Sequence, residues 1–260
     1  MNPLNLVTEP YDRQARLYPA LLLVAPIVAT GAGLLSSNLT AFQSFGASAA
    51  GLGGAFLLTQ LARDAGKKGE KGLFEKWGGL PSVAIFRHRD TRLDSITKAR
   101  YHKKLAGLVK EAKAPTAEQE HSDPDSADIV YSAWSYYLRV NTRDIKKFSH
   151  LFRENVNYGY RRNVWGMRTL GLVASLSCLV CSVVRLLVIR AATGKIDEVL
   201  LCSGVFALFI LLLWAFRFTG DWVYIPANAY AERLAESTET LEEKVAAAKS
   251  LAKKMTPKKV

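Results

Sequence analysis

Apolar residues gather along this chain in four long stretches, Leu17 to Leu35, Leu39 to Ala62, Met167 to Ile189 and Val199 to Phe218, paired two and two around a polar middle. A helix rises 1.5 Å per residue, so about 20 mostly apolar residues cross a hydrocarbon core about 30 Å thick. Each stretch reaches that length. The pattern predicts four transmembrane helices in two hairpins, in preference to buried core helices of a soluble protein. Arg185, near the far end of the third stretch, is long enough to reach the headgroups.

Between the pairs the pattern changes. Asp94 is placed to cap a helix from Ser95 to Lys113, and Ile129, Val130, Ala133, Trp134, Tyr137 and Leu138 recur at helical spacing. Ile145, Phe148, Leu151, Phe152 and Val156 predict an amphipathic helix from Thr142 that runs through Tyr160 and Arg161 into the third stretch. Trp77-Gly78-Gly79-Leu80-Pro81 reads as a tight turn, and Ser82 to Phe86 as a strand or an extended connector. Pro226 opens a last helix in which Leu234, Leu241, Ala248 and Met255 recur every seven residues, a hint of self-association. The expected fold is mainly α and integral to a membrane. Its parts are an N-terminal segment (1–16), two transmembrane hairpins (17–62 and 167–219), a mostly helical insert (63–166) and a C-terminal helix with a basic tail (220–260).

Charge orients this arrangement. The chain has 35 Lys and Arg against 23 Asp and Glu, a net of +12, and most of the surplus lies between Arg63 and Gly166. The Ser36–Asn38 turn has no charge, and the other turn has only Arg190, Lys195, Asp197 and Glu198. Positive segments stay on the cytoplasmic side. Both termini and the middle segment are therefore expected in the cytoplasm, across a cell inner membrane, and Arg13 and Arg16 beside the first span agree. A cleavable leader ending near Ala29-Thr30-Gly31-Ala32 competes for the first span, but the sixteen residues before it contain Glu9, Asp12 and two prolines, unlike a basic leader.

Motifs for catalysis or metal binding are weak. Cys178, Cys181 and Cys202 fall within predicted spans, so the Cys-Leu-Val-Cys spacing lacks the polar access that redox or zinc chemistry needs. His88, His102, His121 and His150 sit in different elements. Gly66-Lys67-Lys68-Gly69 matches the clamp that grips a nucleic-acid backbone in KH domains, but it directly follows a membrane span. No nucleophile or acid–base pair has usable spacing, so neither an enzyme nor a cofactor is expected.

A ligand-binding role has more support. Lys67, Lys68, Arg87, Arg89, Arg92, Lys98, Arg100, Lys103 and Lys104 offer cations to phosphate or to anionic lipid. Tyr101, Tyr131, Trp134, Tyr136 and Tyr137, with Arg139, offer rings for unstacked bases, although helical spacing marks several of these rings as core. The segment from Ala114 to Asp128 has five acids and no Lys or Arg; it reads as a mobile linker that covers the basic patch. In the second stretch Ala47, Ala50, Gly51 and Gly54 place small residues four apart, for helix packing or a pore lining. The function classes left open are a ligand-responsive channel, a scaffold recruiting a soluble partner and a membrane enzyme acting on lipid.

Two hairpins flanking a basic cytoplasmic domain, with Tyr11-Asp12-Arg13-Gln14-Ala15-Arg16-Leu17-Tyr18-Pro19 at the entry and the Arg63 to Gly72 junction, resemble the membrane effectors of bacterial anti-phage nucleotide-signalling systems. The outline is nearest the Hailong protein A type, with four-span effectors of cyclic-oligonucleotide systems as the other possibility. The resemblance implies a homo-oligomeric ion channel whose cytoplasmic part binds a single-stranded DNA or nucleotide signal made by a partner nucleotidyltransferase. Opening would depolarise the membrane and arrest growth. No site residue carries over from it.

Overall fold

The computed structural model describes residues 9–35 and 52–255, and every regular element among them is helical. Three of these helices are long and apolar enough to cross a membrane: α1 (Pro10–Leu34), α8 (Arg168–Thr193) and α9 (Glu198–Arg217). Each lies close to its expected stretch, with α1 extended seven residues toward the N-terminus. The second stretch is described only from Leu52, so Ala47, Ala50 and Gly51 lie outside the described residues. From Leu52 the chain forms α2 (Leu52–Lys76), with Gly54 half-buried near its start.

The remaining elements are α3 (Pro81–Ala84), α4 (Ser95–Leu108), α5 (Ala117–Ser122), α6 (Pro124–Asn141), α7 (Ser149–Gly166) and α10 (Gly220–Met255). Several differ from the sequence expectation. Ser82–Phe86 is not a strand: Pro81 opens a helical turn after extended Leu80, where the missing proline N–H goes unneeded. The acidic segment is not a linker. Thr116 and Gln119 form a reciprocal capping box that starts α5, and Asp123 caps α6 by accepting from Ser126 N. The amphipathic helix does not flow into the third span, because α7 ends at Gly166 and Met167 separates it from α8. Pro226 lies inside α10, which begins at Gly220. Asp94 caps α4 as expected, its carboxylate accepting from Thr97 N.

By compactness the chain divides into two units. One comprises residues up to Leu73 with Val156–Val223, the other Phe74–Asn155 with residues from Tyr224 onward. In the first, α1, α8 and α9 pack mutually through Gly33, Ser175, Ser182, Ser203, Gly204 and Ala207, while Val173, Val180, Leu187, Val205 and Phe209 face outward. Small residues let backbones approach where hydrophobicity alone gives no association. Each of α1 and α9 contains a π-helical turn, Arg13–Leu17 and Leu213–Arg217. Such turns free carbonyls from the regular ladder, and side chains take them up here. Asn163 Nδ2 donates to Ala15 O, while Arg168 donates to Trp214 O and Ala215 O.

The second unit gathers its large side chains in one core. Phe86, Leu105, Tyr131, Trp134 and Leu138 are buried in one core with Leu234 and Leu241 of α10. Two of the four heptad positions are thus used within the chain.

Candidate functional site

The turn after α2 prepares the site. Gly78 (φ 73°) and Gly79 (φ 128°) adopt conformations that other residues rarely reach, which reverses the chain into α3 as the sequence predicts. Gly79 also makes room: a Cβ there would stand 2.6 Å from Arg87 Nη2. Beside the turn, the rings of Trp77 and Tyr224 meet at 5.0 Å.

After α3 the chain runs irregularly through Arg87, His88, Arg89 and Asp90, and Lys98 of α4 holds this loop from beneath. Its buried ammonium donates to the carbonyls of Arg87 (2.8 Å), His88 (3.3 Å) and Asp90. Three acceptors use all three ammonium protons, so Lys98 organises the loop and has no donor left for a ligand. Burial pushes its pKa down, against the opposing charges of Asp90 and Glu120.

The arginines of the loop differ in what they already hold. Arg87 grips Asp128 with two bonds (2.8 and 2.5 Å) and donates to Gly78 O at 2.7 Å. The bond to Asp128 raises its pKa. Arg92 donates to Asp90 (2.7 Å) and Asn228 Oδ1 (2.6 Å). Burial works to raise the pKa of Asp90, but bonding to Arg92 outweighs it and the carboxyl sits below its ordinary value. Arg89 is different: its side chain is 57% exposed and only reaches Glu120 at 4.0 Å. Arg87, Arg89 and Arg92 line a single cavity of about 150 Å³ together with Trp77 and Tyr224. That is below the range of about 300–1,000 Å³ that encloses a drug-sized molecule, so the space suits one anionic group and not a whole nucleotide.

The acids of the Ala114–Asp128 segment do engage this loop, as the sequence suggested, but from helices. Glu120 accepts from His88 N (2.7 Å) and the Tyr131 hydroxyl (2.8 Å), and Asp128 holds Arg87. Glu120 is itself buried, which works to raise its pKa, yet these bonds bring it below the ordinary carboxylate value. In the core beneath, His102 donates from Nε2 to Phe86 O at 2.7 Å, and burial lowers its pKa to about 4.

The other expected ligand residues lie elsewhere. Arg100 and Lys104 both reach Glu239, at 2.9 and 2.5 Å, and Lys103 is exposed. Tyr136 is 64% exposed with the Arg139 guanidinium 6.0 Å from its ring centre, whereas Tyr101, Tyr131 and Trp134 are core. Lys67 and Lys68 are exposed on α2 in the other unit, where Lys67 pairs with Glu70 at 2.9 Å. Gly66 and Gly69 are not a loop clamp. They are helical, and a Cβ on either would collide with Asn163 or the Trp165 ring of α7, so they set a close helix crossing.

That crossing has a polar centre the sequence did not reveal. Glu70 accepts from Arg162 Nη1 (2.7 Å) and Tyr158 (3.0 Å), and the buried Arg162 also donates to Asn163 Oδ1. Burial works to raise the Glu70 pKa, but the bonds and charges of Lys67 and Arg162 leave it lowered. Neither this cluster nor the Arg87–Asp128 pair has a local sequence signal, since the partners stand 92 and 41 residues apart. Among the described residues no group of three His, Cys, Asp or Glu is arranged to hold a metal ion. Comparison with protein-family models, with curated proteins and with solved structures finds no match.

Proposed function

We propose that this chain is a membrane effector that senses a phosphate-bearing signal through the Arg87–Arg89–Arg92 cavity. One observation carries the reading: three arginines converge on a space sized for one anion, and one of them, Arg89, is largely exposed. The Trp77 indole N–H, at the wall of the same cavity, is buried without an acceptor among the described residues, as a donor to an incoming oxygen would be. The signal is a nucleotide or single-stranded oligonucleotide, held by one phosphate while its bases lie outside the cavity. The output is an ion-conducting pore of several identical subunits, which depolarises the membrane and arrests growth. The three long apolar helices support that output, and α2, α7 and α10 each contribute residues to both units, which suits a signal passing between them.

Replacing Arg87, Arg89 and Arg92 together would confuse binding with folding, because Arg87 and Arg92 hold the loop. Arg89→Gln alone tests the site. A charge-assisted hydrogen bond is worth about 1.5–3 kcal/mol, so binding of a short single-stranded oligonucleotide to the full-length protein in detergent should weaken at least about tenfold. Unchanged binding would reject the cavity as the sensor. Ligand-dependent conductance in liposomes tests the output, and its absence with binding intact would favour a scaffold.

A further inference from the structure

The inner side of α6 belongs to the core of the second unit, where Tyr131, Trp134 and Leu138 are buried. Its outer side has an order of its own. Ile129, Ser132, Tyr136 and Val140 follow one another there at three- and four-residue spacing, all exposed. Ile129 is 70% and Tyr136 64% exposed, and the stripe from Ile129 to Val140 runs about 17 Å along the helix. Aliphatic and tyrosine side chains aligned in this way are the kind that a protein contact buries.

The two ends of this face carry opposite charge. Asp125 lies in the first turn of α6, Arg139 in its last turn and Arg143 just past its end, each exposed. Among the described residues none of the three is in an ion pair, and the Arg139 guanidinium lies over the Tyr136 ring, 6.0 Å from its centre. Stacking of that kind leaves the edge N–H groups open. The other acids nearby are committed: Asp123 accepts from Ser126 N, Asp128 holds Arg87, and Asp144 accepts from Lys146 N and Lys147 N.

Such a face is complementary to itself when reversed. Laid antiparallel and crossing near Trp134, two copies set the Asp125 end of each helix against the Arg139 and Arg143 end of the other, and the opposed helix dipoles add to the match. The same register puts each Tyr136 ring over the partner's small Ser132 and each Ile129 against the partner's Val140. A nucleic acid or an anionic membrane surface would be drawn to the arginine end and repelled at Asp125, whereas a second copy satisfies the whole face.

We propose that α6 pairs with α6 of a second copy of this chain about a twofold axis, joining the second units of two subunits. The pairing rests on the identical subunits of the reading above and is independent of the anion cavity. Chains held in one membrane meet at high effective concentration, so a contact of modest area suffices.

The test is crosslinking of the full-length Ser132→Cys protein in liposomes with a short bismaleimide, since the two positions lie on the order of 10 Å apart across the pair. A covalent dimer joined at residue 132 should form, as mapped by mass spectrometry, and Ile96→Cys, exposed on α4, should give none. Asp125→Arg turns attraction into repulsion at both ends and should slow the crosslink about tenfold, as should Arg139→Asp with Arg143→Asp. Combining all three changes in one chain, or mixing the two reversed chains, restores opposite charges and should restore the crosslink. No crosslink at residue 132 in an oligomeric protein, a rate unchanged by Asp125→Arg, or no recovery in the combined variant overturns the pairing. An absent crosslink together with oligonucleotide binding weakened by Arg139→Gln assigns the face to nucleic acid instead. A monomer by native mass spectrometry overturns the pairing and the homo-oligomer together. Arg89→Gln should leave the crosslink unchanged, so the anion cavity can fail while the pairing stands.

Discussion

The two units differ in what they leave outside: the first exposes many large apolar side chains, the second mostly charged ones. In the helices α1, α8 and α9 the inner faces combine glycine, serine and alanine with a few large side chains such as Leu200, Ile210 and Trp214, while many valines, leucines and phenylalanines face out; in the other unit Trp134, Tyr131 and Phe86 are inside and the lysines and arginines are mostly outside. The difference accords with the first unit's holding the three helices that are long and apolar enough to cross a membrane. In lipid, large apolar side chains lose nothing by facing outward, and helix association depends on close backbone approach. In water the large rings must be enclosed, at about 25 cal/mol per Å² of apolar surface removed from solvent.

The comparison can be broken most sharply at Trp134. It is fully buried, and its indole donates to Ala112 O at 3.1 Å, so Trp134→Ala should destabilise the protein by about 3–5 kcal/mol. The matching truncation in the first unit, Leu187→Ala on an outward face, should have almost no effect in lipid. Chemical denaturation in nanodiscs measures both, and a large loss at Leu187 would mean that this face is packed against protein.

The polar centre of the α2–α7 crossing comes next. Glu70→Ala leaves Arg162 buried without its carboxylate, with a loss of about 3–5 kcal/mol. Replacing both, Glu70→Leu with Arg162→Met, should recover much of that loss, because no charge is then left unpaired. Failure of the double variant to recover would place the cost in packing and not in the ion pair.

The smallest of these effects is set by pH and belongs to the water-type core. The unfolded chain protonates His102 near pH 6.5, but the folded chain does not until about pH 4. Proton binding therefore favours the unfolded state in that window. Stability should fall by about 3 kcal/mol as pH drops from 6.5 to 4 and then level off for this group. Asp90, Glu70 and Glu120, whose folded pKa values are depressed, keep their contribution above the ordinary carboxylate range and lose it only as pH falls below that range. Denaturation midpoints of the protein and of His102→Gln across the window separate the two; a variant with the same slope would remove His102 as the cause.

How much was legible in the sequence follows the range of the interactions. The apolar runs of α1, α8 and α9, the Asp94 cap and the Gly78-Gly79 turn depend on residues within a turn or two of each other, and each was predicted within a few residues apart from the start of α1, which lies seven residues earlier. The acidic segment was misread because its caps compete with a composition that resembles a linker. The candidate site was read as a basic density spanning Lys67 to Lys104. Folding sorts that density into Arg89, which is open, Arg87, Arg92 and Lys98, which hold the loop, and Arg100 and Lys104, which are drawn to Glu239.

By itself, then, the sequence determined which segments are apolar enough for a membrane and that the basic surplus lies between them, because hydropathy and charge are sums over neighbouring residues. Only the tertiary structure decided which cations remain available. A guanidinium is free or occupied according to carboxylates and carbonyls brought from 41 and 136 residues away, as with Asp128 on Arg87 and Asn228 on Arg92, and no local pattern encodes that pairing.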